Sequence, residues 1–321
     1  MPHILVAGRI HQSGLALLQS APGVTLDVVN EITLASYAPL IGKADALLIR
    51  TQPLPAAVIA DAPRLKIVSR HGVGFDAVDV AALNRRGIPL TIVGDVNSVS
   101  VAEHTMMLML ALAKQAVAYD AATRGMGWET RNRFSAFELS GKTLLLLGFG
   151  RIGRHVARLA LAFGMQVAAH DPFVAAAAVA SSGVVPVTDL EAALGQADVV
   201  SVHMPRSDGR AALGANELAR LKPTAIVINT ARGGLIDETS LAAALSQGRL
   251  AGAGLDVFET EPPSRTHPLF GNDRVILSPH IAGLSQESAE RMSISSARNI
   301  LDCFAGRLDP SLVVNSAALE P

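Results

Sequence analysis

Apolar positions in the first hundred residues fall into short runs separated by turn residues: Ile4–Ala7, Thr25–Val29, Ala46–Ile49, Ile67–Val68 and Leu90–Val93. Runs this short predict buried strands rather than helices. Between several of them the apolar spacing lengthens. From Phe75 to Arg86, Val78, Ala81, Ala82 and Arg85 alternate with Asp76 and Asp79, which predicts a helix. A longer helix is predicted from about Ser100 to about Tyr119. Met106, Met107, Met109, Leu110 and Leu112 make it apolar nearly all round, so it should be buried against another domain or a second subunit. The stretch Arg124–Ser140 is less regular. Strand-like runs resume at Thr143 and recur at Val199–His203, Ala225–Asn229, Gly252–Asp256 and Val275–Leu277, and a helix pattern from about Gln286 to Phe304 follows the last. Strands alternating with helices call for parallel sheets covered on both faces. The chain is therefore expected to be α/β, with two doubly wound parallel-sheet domains. Residues 100–284 would form one, inserted into the other, which consists of residues 1–99 and 285–321.

A chain of 321 residues, half of them apolar and 17% charged, is long enough for two such cores. Its 27 basic and 28 acidic side chains leave a net charge of −1, so no overall field draws it to nucleic acid or membrane, and neither is expected as a partner. Cys303 is the only cysteine, which rules out an intrachain disulfide. Among Ile300, Leu301 and Phe304 it should be a buried, inert thiol. Met1-Pro2-His3 leads straight into the first strand-like run, and no apolar run approaches a membrane span. A cytoplasmic protein without a leader is expected.

Candidate chemistry begins at Leu144. The run Leu144-Leu145-Leu146-Leu147 enters Gly148-Phe149-Gly150-Arg151-Ile152-Gly153, a helix pattern follows from His155 to Phe163, and a second apolar run from Val167 stops at Asp171. Strand, glycine turn, helix, strand and terminal acid stand in the order a dinucleotide site needs. Gly148 permits the tight turn, Gly150 lets the backbone approach a pyrophosphate, and Gly153 lets helix and strand pack closely. The helix N-terminus offers unpaired N–H groups to the phosphates. Asp171 stands where a carboxylate accepts hydrogen bonds from the adenosine ribose hydroxyls, and no arginine follows it to favour NADP over NAD. The inserted domain is thus expected to be a Rossmann NAD-binding domain, and the other a flavodoxin-like substrate domain.

Three further segments fall at predicted strand ends, the edge where open parallel sheets bind ligands. They are Asn229–Gly234 with Arg232, Leu255–Pro262 with Glu261, and Leu277–Gly283 with His280. Oxidising a secondary alcohol to a ketone releases a proton beside the hydride, so a histidine suits the acid/base task near neutral pH. Glu261 would orient the imidazole and favour its protonated form. Arg232 offers a planar, permanently charged fork for a substrate carboxylate and the adjacent carbonyl oxygen. No metal site is read.

Together with Arg70-His71-Gly72-Val73-Gly74-Phe75-Asp76-Ala77-Val78-Asp79 and Asn97-Ser98-Val99-Ser100-Val101-Ala102-Glu103, these segments resemble the D-isomer-specific 2-hydroxyacid dehydrogenases, closest in motif to phosphoglycerate dehydrogenase-like members. The resemblance implies that His280 is the acid/base, Glu261 its partner and Arg232 the substrate anchor. It implies NAD contacts from Gly148, Gly150, Arg151, Ile152, Gly153 and Asp171, from Thr230, Ala231 and Arg232, and from His280 and Gly283, with Asp256 near the nicotinamide amide. The turn of His71, Gly72, Val73 and Gly74 would present N–H groups to the substrate carboxylate. Arg50, ending the Ala46–Ile49 run, would meet a second anionic group, with His71 as a further donor. The implied function is hydride transfer between NAD(H) and a small D-2-hydroxy acid or 2-oxo acid. A three-carbon substrate with a polar or anionic C3 group is implied, of the phosphoglycerate, glycerate/hydroxypyruvate or sulfolactate kind. A homodimer built on the Ser100–Tyr119 helix is implied as well, with Arg131 or Arg133 reaching the substrate from the partner.

Each residue taken singly has a plainer reading. Arg232 would cap strand-end carbonyls, Glu261 before Pro262-Pro263 would be an exposed loop carboxylate, and His280 a satisfied loop histidine. Chemistry is favoured because all three stand at strand ends downstream of a dinucleotide loop. His104 and His203 lack that company and are read as structural or peripheral, and Arg124, Arg131 and Arg133 as a solvated surface. There are departures from the family pattern. His71 stands where many relatives carry a small residue, often alanine, and Met204 where they often carry threonine. The chain ends at Pro321 without the regulatory extension of some phosphoglycerate dehydrogenases, so feedback control by serine is not expected. Formate dehydrogenases typically carry Gln at the Glu261 position, which argues against formate. The alternative function is an NADH-sensing binding protein of the same fold, similar to the C-terminal-binding-protein corepressors, with little catalytic activity.

Overall fold

The computed structural model describes residues 1–206 and 210–316, so the expectation about the chain's end at Pro321 lies outside the described residues. The first part of the chain forms β1 (His3–Ala7), α1 (Gln12–Gln19), β2 (Thr25–Val29), α2 (Leu34–Tyr37), β3 (Ala46–Ile49), α3 (Ala56–Ala60), β4 (Ile67–Arg70), α4 (Val80–Arg85) and β5 (Leu90–Thr91). Next come α5 (Ser98–Ala113), α6 (Ala116–Arg124), β6 (Thr143–Leu147), α7 (Arg151–Ala162), β7 (Gln166–His170), α8 (Ala176–Ala180), β8 (Val185–Pro186), α9 (Leu190–Gln196) and β9 (Val199–Val202). The last part holds α10 (Ala215–Arg220), β10 (Ile226–Asn229), α11 (Glu238–Ser246), β11 (Gly252–Leu255), β12 (Val275–Leu277) and α12 (Gln286–Phe304).

Two compact units result, Met1–Asn97 with Leu284–Pro321, and Ser98–Gly283. The first is built on the sheet β2-β1-β3-β4-β5, paired in parallel throughout, a flavodoxin-like order. The second is built on β12-β11-β10-β9-β6-β7-β8, also parallel, the Rossmann order with one strand more. Both follow from the runs of apolar residues, because a strand covered on both faces must be apolar on both. In β6, Leu144 and Leu146 pack with Met109 and Val156, while Leu145 and Leu147 pack on the opposite side with Leu241 and Leu245. In β1, Ile4 and Val6 meet Ala297 and Ile300 of α12, while Leu5 and Ala7 meet Leu47 and Val68.

Register then brings distant residues together. His170, Leu147, Val202, Asn229, Leu255 and Leu277 form one row across the large sheet. The next residue of each strand is Asp171, Gly148, His203, Thr230, Asp256 or Ser278, so all six emerge at one edge.

Three local expectations need correction. The helix over Phe75–Arg86 begins only at Val80, because Val78 pairs with Leu54 in an isolated parallel bridge and Asp79 caps the helix by accepting the Ala82 N–H at 2.8 Å. The helix over Ser100–Tyr119 starts at Ser98 and breaks after Ala113. There the Phe137 N–H takes the Ala113 carbonyl at 2.8 Å, and Gln115 turns left-handed at φ 53, before α6 resumes at Ala116. Strand β5 stops at Thr91 because the Ile92 N–H bonds the Leu312 carbonyl at 3.0 Å instead of a sheet neighbour. The irregular stretch Arg124–Ser140 contains a short 3-10 helix, Trp128–Arg133, in which the Arg131 guanidinium lies 5.9 Å from the Trp128 ring centre. Among the described residues no helix is long and apolar enough to cross a membrane.

Candidate active site

The glycine loop after β6 is shaped by steric need. Gly148 adopts φ 101, and a Cβ there would lie 2.5 Å from the His203 carbonyl oxygen. A Cβ on Gly153 would lie 2.5 Å from the Gly148 carbonyl oxygen, so both glycines are required for helix α7 to sit this close. Gly150 is different: nothing lies within 4 Å of its Cβ position. It caps α7 with exposed Arg151 as the first helical residue, and Ile152 packs inward on the core. His203, partly buried against the loop, is pushed down to about 3 by desolvation of its ring and stays neutral. Its Nε2 lies 2.8 Å from Ser201 Oγ.

Asp171 is held in place at the end of β7. Its carboxylate accepts the Phe149 N–H at 2.8 Å through Oδ2 and the Phe173 N–H at 2.9 Å through Oδ1.

The loop after β10 is tied by Asn229, whose Nδ2 donates to the Arg232 carbonyl at 2.8 Å while its Oδ1 accepts the Ala231 N–H at 3.0 Å. Thr230 and Thr105 join hydroxyls at 2.8 Å. Arg232 donates from Nη1 to the Ala231 carbonyl at 2.7 Å. After β11 comes Asp256, buried, with its carboxylate taken by Ser278, Ile281 and Ala282. The carboxylate expected near the nicotinamide amide thus accepts three donors of the segment from Ser278 to Ala282.

His280, past β12, adopts φ 53, a left-handed conformation uncommon outside glycine. Its Nδ1–H donates to Glu261 Oε2 at 2.7 Å, and Glu261 Oε1 accepts the Phe258 N–H at 3.0 Å. The two side chains are 50% and 36% exposed, so the pair is reachable from solvent. Partial burial pushes the Glu261 carboxyl up, but the bonds from His280 and Phe258 and the charges of His280 and Arg232 outweigh it and hold the group below its ordinary range. Arg232 is therefore close enough to Glu261 for their charges to act on one another, and the three residues selected from the sequence converge.

In the other unit, Arg50 and His71 follow the neighbouring strands β3 and β4. Arg50 donates from Nη1 to the Arg9 carbonyl at 3.2 Å. Burial, then the charges of Arg50 and Arg70, push His71 down to about 3. Both ring nitrogens of this buried, neutral imidazole lack a hydrogen-bond partner. Gly72 follows at φ 145, opening the turn through Val73 to Gly74.

A family model described as D-isomer specific 2-hydroxyacid dehydrogenase, NAD binding domain, matches residues 106–282. The chain belongs to this family. It is 40% identical over 316 residues to the D-3-phosphoglycerate dehydrogenase of Mycobacterium leprae, a match that covers 98% of this chain but only 59% of that protein. The TT0316 protein of Thermus thermophilus has a TM-score of 0.88 at 34% identity, covering 97% of this chain and 99% of that one. D-Lactate dehydrogenase of Aquifex aeolicus, solved with NAD and lactic acid, also has a TM-score of 0.88, at 26% identity, covering 97% of this chain and 99% of that one.

NAD is the cofactor of the matched domain, and this family member's residues fit it. The space at Gly150, the free N–H groups of the first turn of α7 and the fixed carboxylate of Asp171 suit a pyrophosphate and a ribose. Each Asp171 oxygen keeps acceptor capacity for a hydroxyl. A 2′-phosphate at about 4 Å from it would meet repulsion of about 4 kcal/mol per charge pair before screening, at an effective dielectric of about 20. After screening, kcat/KM with NADH should exceed that with NADPH by at least about tenfold. Equal values in steady-state assays would refute this.

Several residues of the site escaped the sequence reading. A Cβ on Gly233 would overlap the Phe258 carbonyl, so the Arg232 and Glu261 loops pack backbone to backbone. Glu238 accepts the Glu259 N–H at 2.6 Å through Oε1 and pairs through Oε2 with His267 at 2.8 Å, which ties down the loop carrying Glu261. His104, structural or peripheral by its sequence context, bonds Ser278. Among the described residues no group of three or more His, Cys, Asp or Glu is placed to hold a metal.

Proposed function

We propose that this protein is an NAD-dependent dehydrogenase that interconverts a small D-2-hydroxy acid and its 2-oxo acid. The observation that carries this reading is the 2.7 Å His280–Glu261 pair on the sheet edge that also bears the Gly148–Gly153 loop. An ionised Glu261 can only accept, so Nδ1 of His280 carries a proton and Nε2 is the nitrogen left to face a substrate. Arg232 anchors the substrate carboxylate and aligns the reacting carbon. NAD supplies the hydride acceptor in oxidation and the donor in reduction. In oxidation, neutral His280 takes the hydroxyl proton and Glu261 stabilises the resulting imidazolium. In reduction, the imidazolium returns that proton to the carbonyl oxygen. Gly148, Gly150, Arg151, Ile152, Gly153, Asp171, Thr230, Ala231, Asp256 and Gly283 complete the cofactor site in this reading.

The substrate is read as a three-carbon acid with a polar or anionic C3 group. Partly buried Arg50 and the unpartnered His71 support this, as does the likeness to a phosphoglycerate dehydrogenase. NADH oxidation with hydroxypyruvate, glyoxylate, pyruvate, phosphohydroxypyruvate and sulfopyruvate tests it. Arg50→Ala should raise KM for the preferred C3-anionic substrate by roughly 10- to 100-fold, the loss of about 1.5–3 kcal/mol for a charged hydrogen bond. KM for glyoxylate, which has no C3, should barely change. Equal effects on both, or none, would reject Arg50 as the specificity residue. Absence of turnover with all five acids would favour an NADH-sensing protein.

The reading extends to a cytoplasmic homodimer. One face of α5 and α7 forms an apolar groove of about 550 Å³ lined by Met106, Met107, Leu110, Leu159 and Phe163. Exposed Met107 and Phe163 in it suit a second copy of the chain.

A further inference from the structure

Beneath the His280 turn lies a polar chain that the proton transfer itself does not use. Asp256 is 1% exposed and grips three successive residues. Its carbonyl accepts the His280 N–H at 2.8 Å, and its carboxylate accepts the Ile281 N–H at 2.9 Å and the Ala282 N–H at 2.8 Å. These bonds hold His280 in its left-handed conformation, which a non-glycine residue keeps only when its surroundings impose it.

Oδ1 of Asp256 also accepts the Ser278 hydroxyl at 2.5 Å. That hydroxyl has a single proton, and the carboxylate has none to give. The 2.8 Å bond between Ser278 Oγ and His104 Nε2 must therefore be donated by the histidine. The direction of the chain follows: His104 N–H to Ser278, Ser278 O–H to Asp256, and the turn's N–H groups to Asp256 from the other side. One helical turn before His104, Ser100 donates its hydroxyl to the Ala282 carbonyl at 2.7 Å. Helix α5 thus holds segment 278–282 at both ends.

We propose that His104 is a positioning residue for His280, acting through Ser278 and Asp256; this rests on His280 being the acid/base. With the His104 donor in place, the Ser278 hydroxyl has one orientation and Asp256 keeps its full set of donors. Without it, Ser278 is freed to turn from Asp256, and the His280 ring loses the fixed turn that sets it against Glu261. Misplacement of a proton-transfer group lowers kcat more than it lowers ligand affinity.

His104→Leu, His104→Gln and Ser278→Ala in the full chain test this. Leucine fills the space without a donor, and glutamine can place an amide N–H near the position of Nε2. His104→Leu should lower kcat about tenfold, leave the NADH Kd and the 2-oxo acid KM within about twofold, and speed amide hydrogen exchange over residues 279–283. His104→Gln should restore kcat to within about threefold of the parent and slow that exchange again. Ser278→Ala should match His104→Leu, and the double variant should be no slower than either single, because both interrupt one chain. Parent-like kcat and exchange in His104→Leu overturn the proposal. So do equal losses in His104→Leu and His104→Gln that track a fall in Tm, or additive losses in the double variant. His280→Ala, run alongside, separates the two levels: retained turnover there overturns the acid/base reading itself, whatever the exchange data show.

Discussion

Replacing His280 with alanine should lower kcat by about three orders of magnitude and leave NADH affinity within about twofold of the parent protein. The large effect follows from the chemistry. Hydride transfer to or from a carbonyl carbon leaves a proton to be placed on oxygen, and the His280–Glu261 pair, joined at 2.7 Å, is the acid/base set proposed for this sheet edge. General acid–base groups contribute about 10²- to 10⁴-fold, and the middle of that range applies because water can reach a half-exposed ring and replace it in part. The small effect on binding follows from the division of labour. The glycine loop and Asp171 belong to other strands, and none of their hydrogen bonds runs through His280. Fluorescence titration of NADH together with steady-state rates reads both quantities. A variant with kcat within tenfold of the parent would take His280 out of the proton transfer.

Much of this site was legible because strand ends announce themselves. The apolar runs stop at Asp171, Thr230, Asp256 and Ser278, and parallel register places those stops on one edge. Arg232, Glu261 and His280 lie within a few residues of the same stops, so their convergence needed only the sheet. Local conformation was less legible. Val78, Ala81 and Ala82 have helical spacing, yet the bridge from Leu54 to Val78 draws the segment's first half out of the helix. The break at Gln115 carries no glycine or proline signal; a long-range bond from Phe137 makes it.

The supporting polar chain was invisible for a different reason. The apolar side chains of helix α5 cover nearly its whole circumference. Ser100, His104 and Thr105 look like incidental polar residues on it. Their partners, Ala282, Ser278 and Thr230, lie 182, 174 and 125 residues away in sequence. Spacing alone does not connect them. The signal that was present is chemical: a partly buried histidine four residues from a serine on a mostly apolar helix needs hydrogen-bond partners from elsewhere in the chain.

Glu261→Gln should lower kcat by about a hundredfold and move both pH–rate profiles toward lower pH. Glutamine keeps the shape, and its amide oxygen can still accept from His280 Nδ1, but its amide nitrogen then faces the Phe258 N–H, so the charge and that second bond are both lost. That charge is present throughout the neutral range. Burial works against ionisation, but the bonds from His280 and the Phe258 N–H, with the charges of His280 and Arg232, keep the Glu261 carboxyl below its ordinary value of 4.5. A depressed carboxyl contributes fully above its unfolded value and is lost only as pH falls through the folded one. Titration of Glu261 therefore lies below the neutral range. What the substitution changes there is the imidazole, whose protonated form loses its anionic neighbour. Reduction needs that protonated form, so its alkaline fall should come at lower pH. Oxidation needs the neutral ring, so its acid limb should extend to lower pH. A displacement of about one pH unit corresponds to about 1.4 kcal/mol, which suits a charge-assisted bond between side chains this exposed. At neutral pH the reductive rate should consequently fall more than the oxidative one. kcat/KM measured against pH in both directions checks this, with 4-deuterated NADH in reduction and the C2-deuterated hydroxy acid in oxidation showing that hydride transfer limits the rate. Profiles that stay in place in both directions while the isotope effect is expressed would separate Glu261 from the proton transfer.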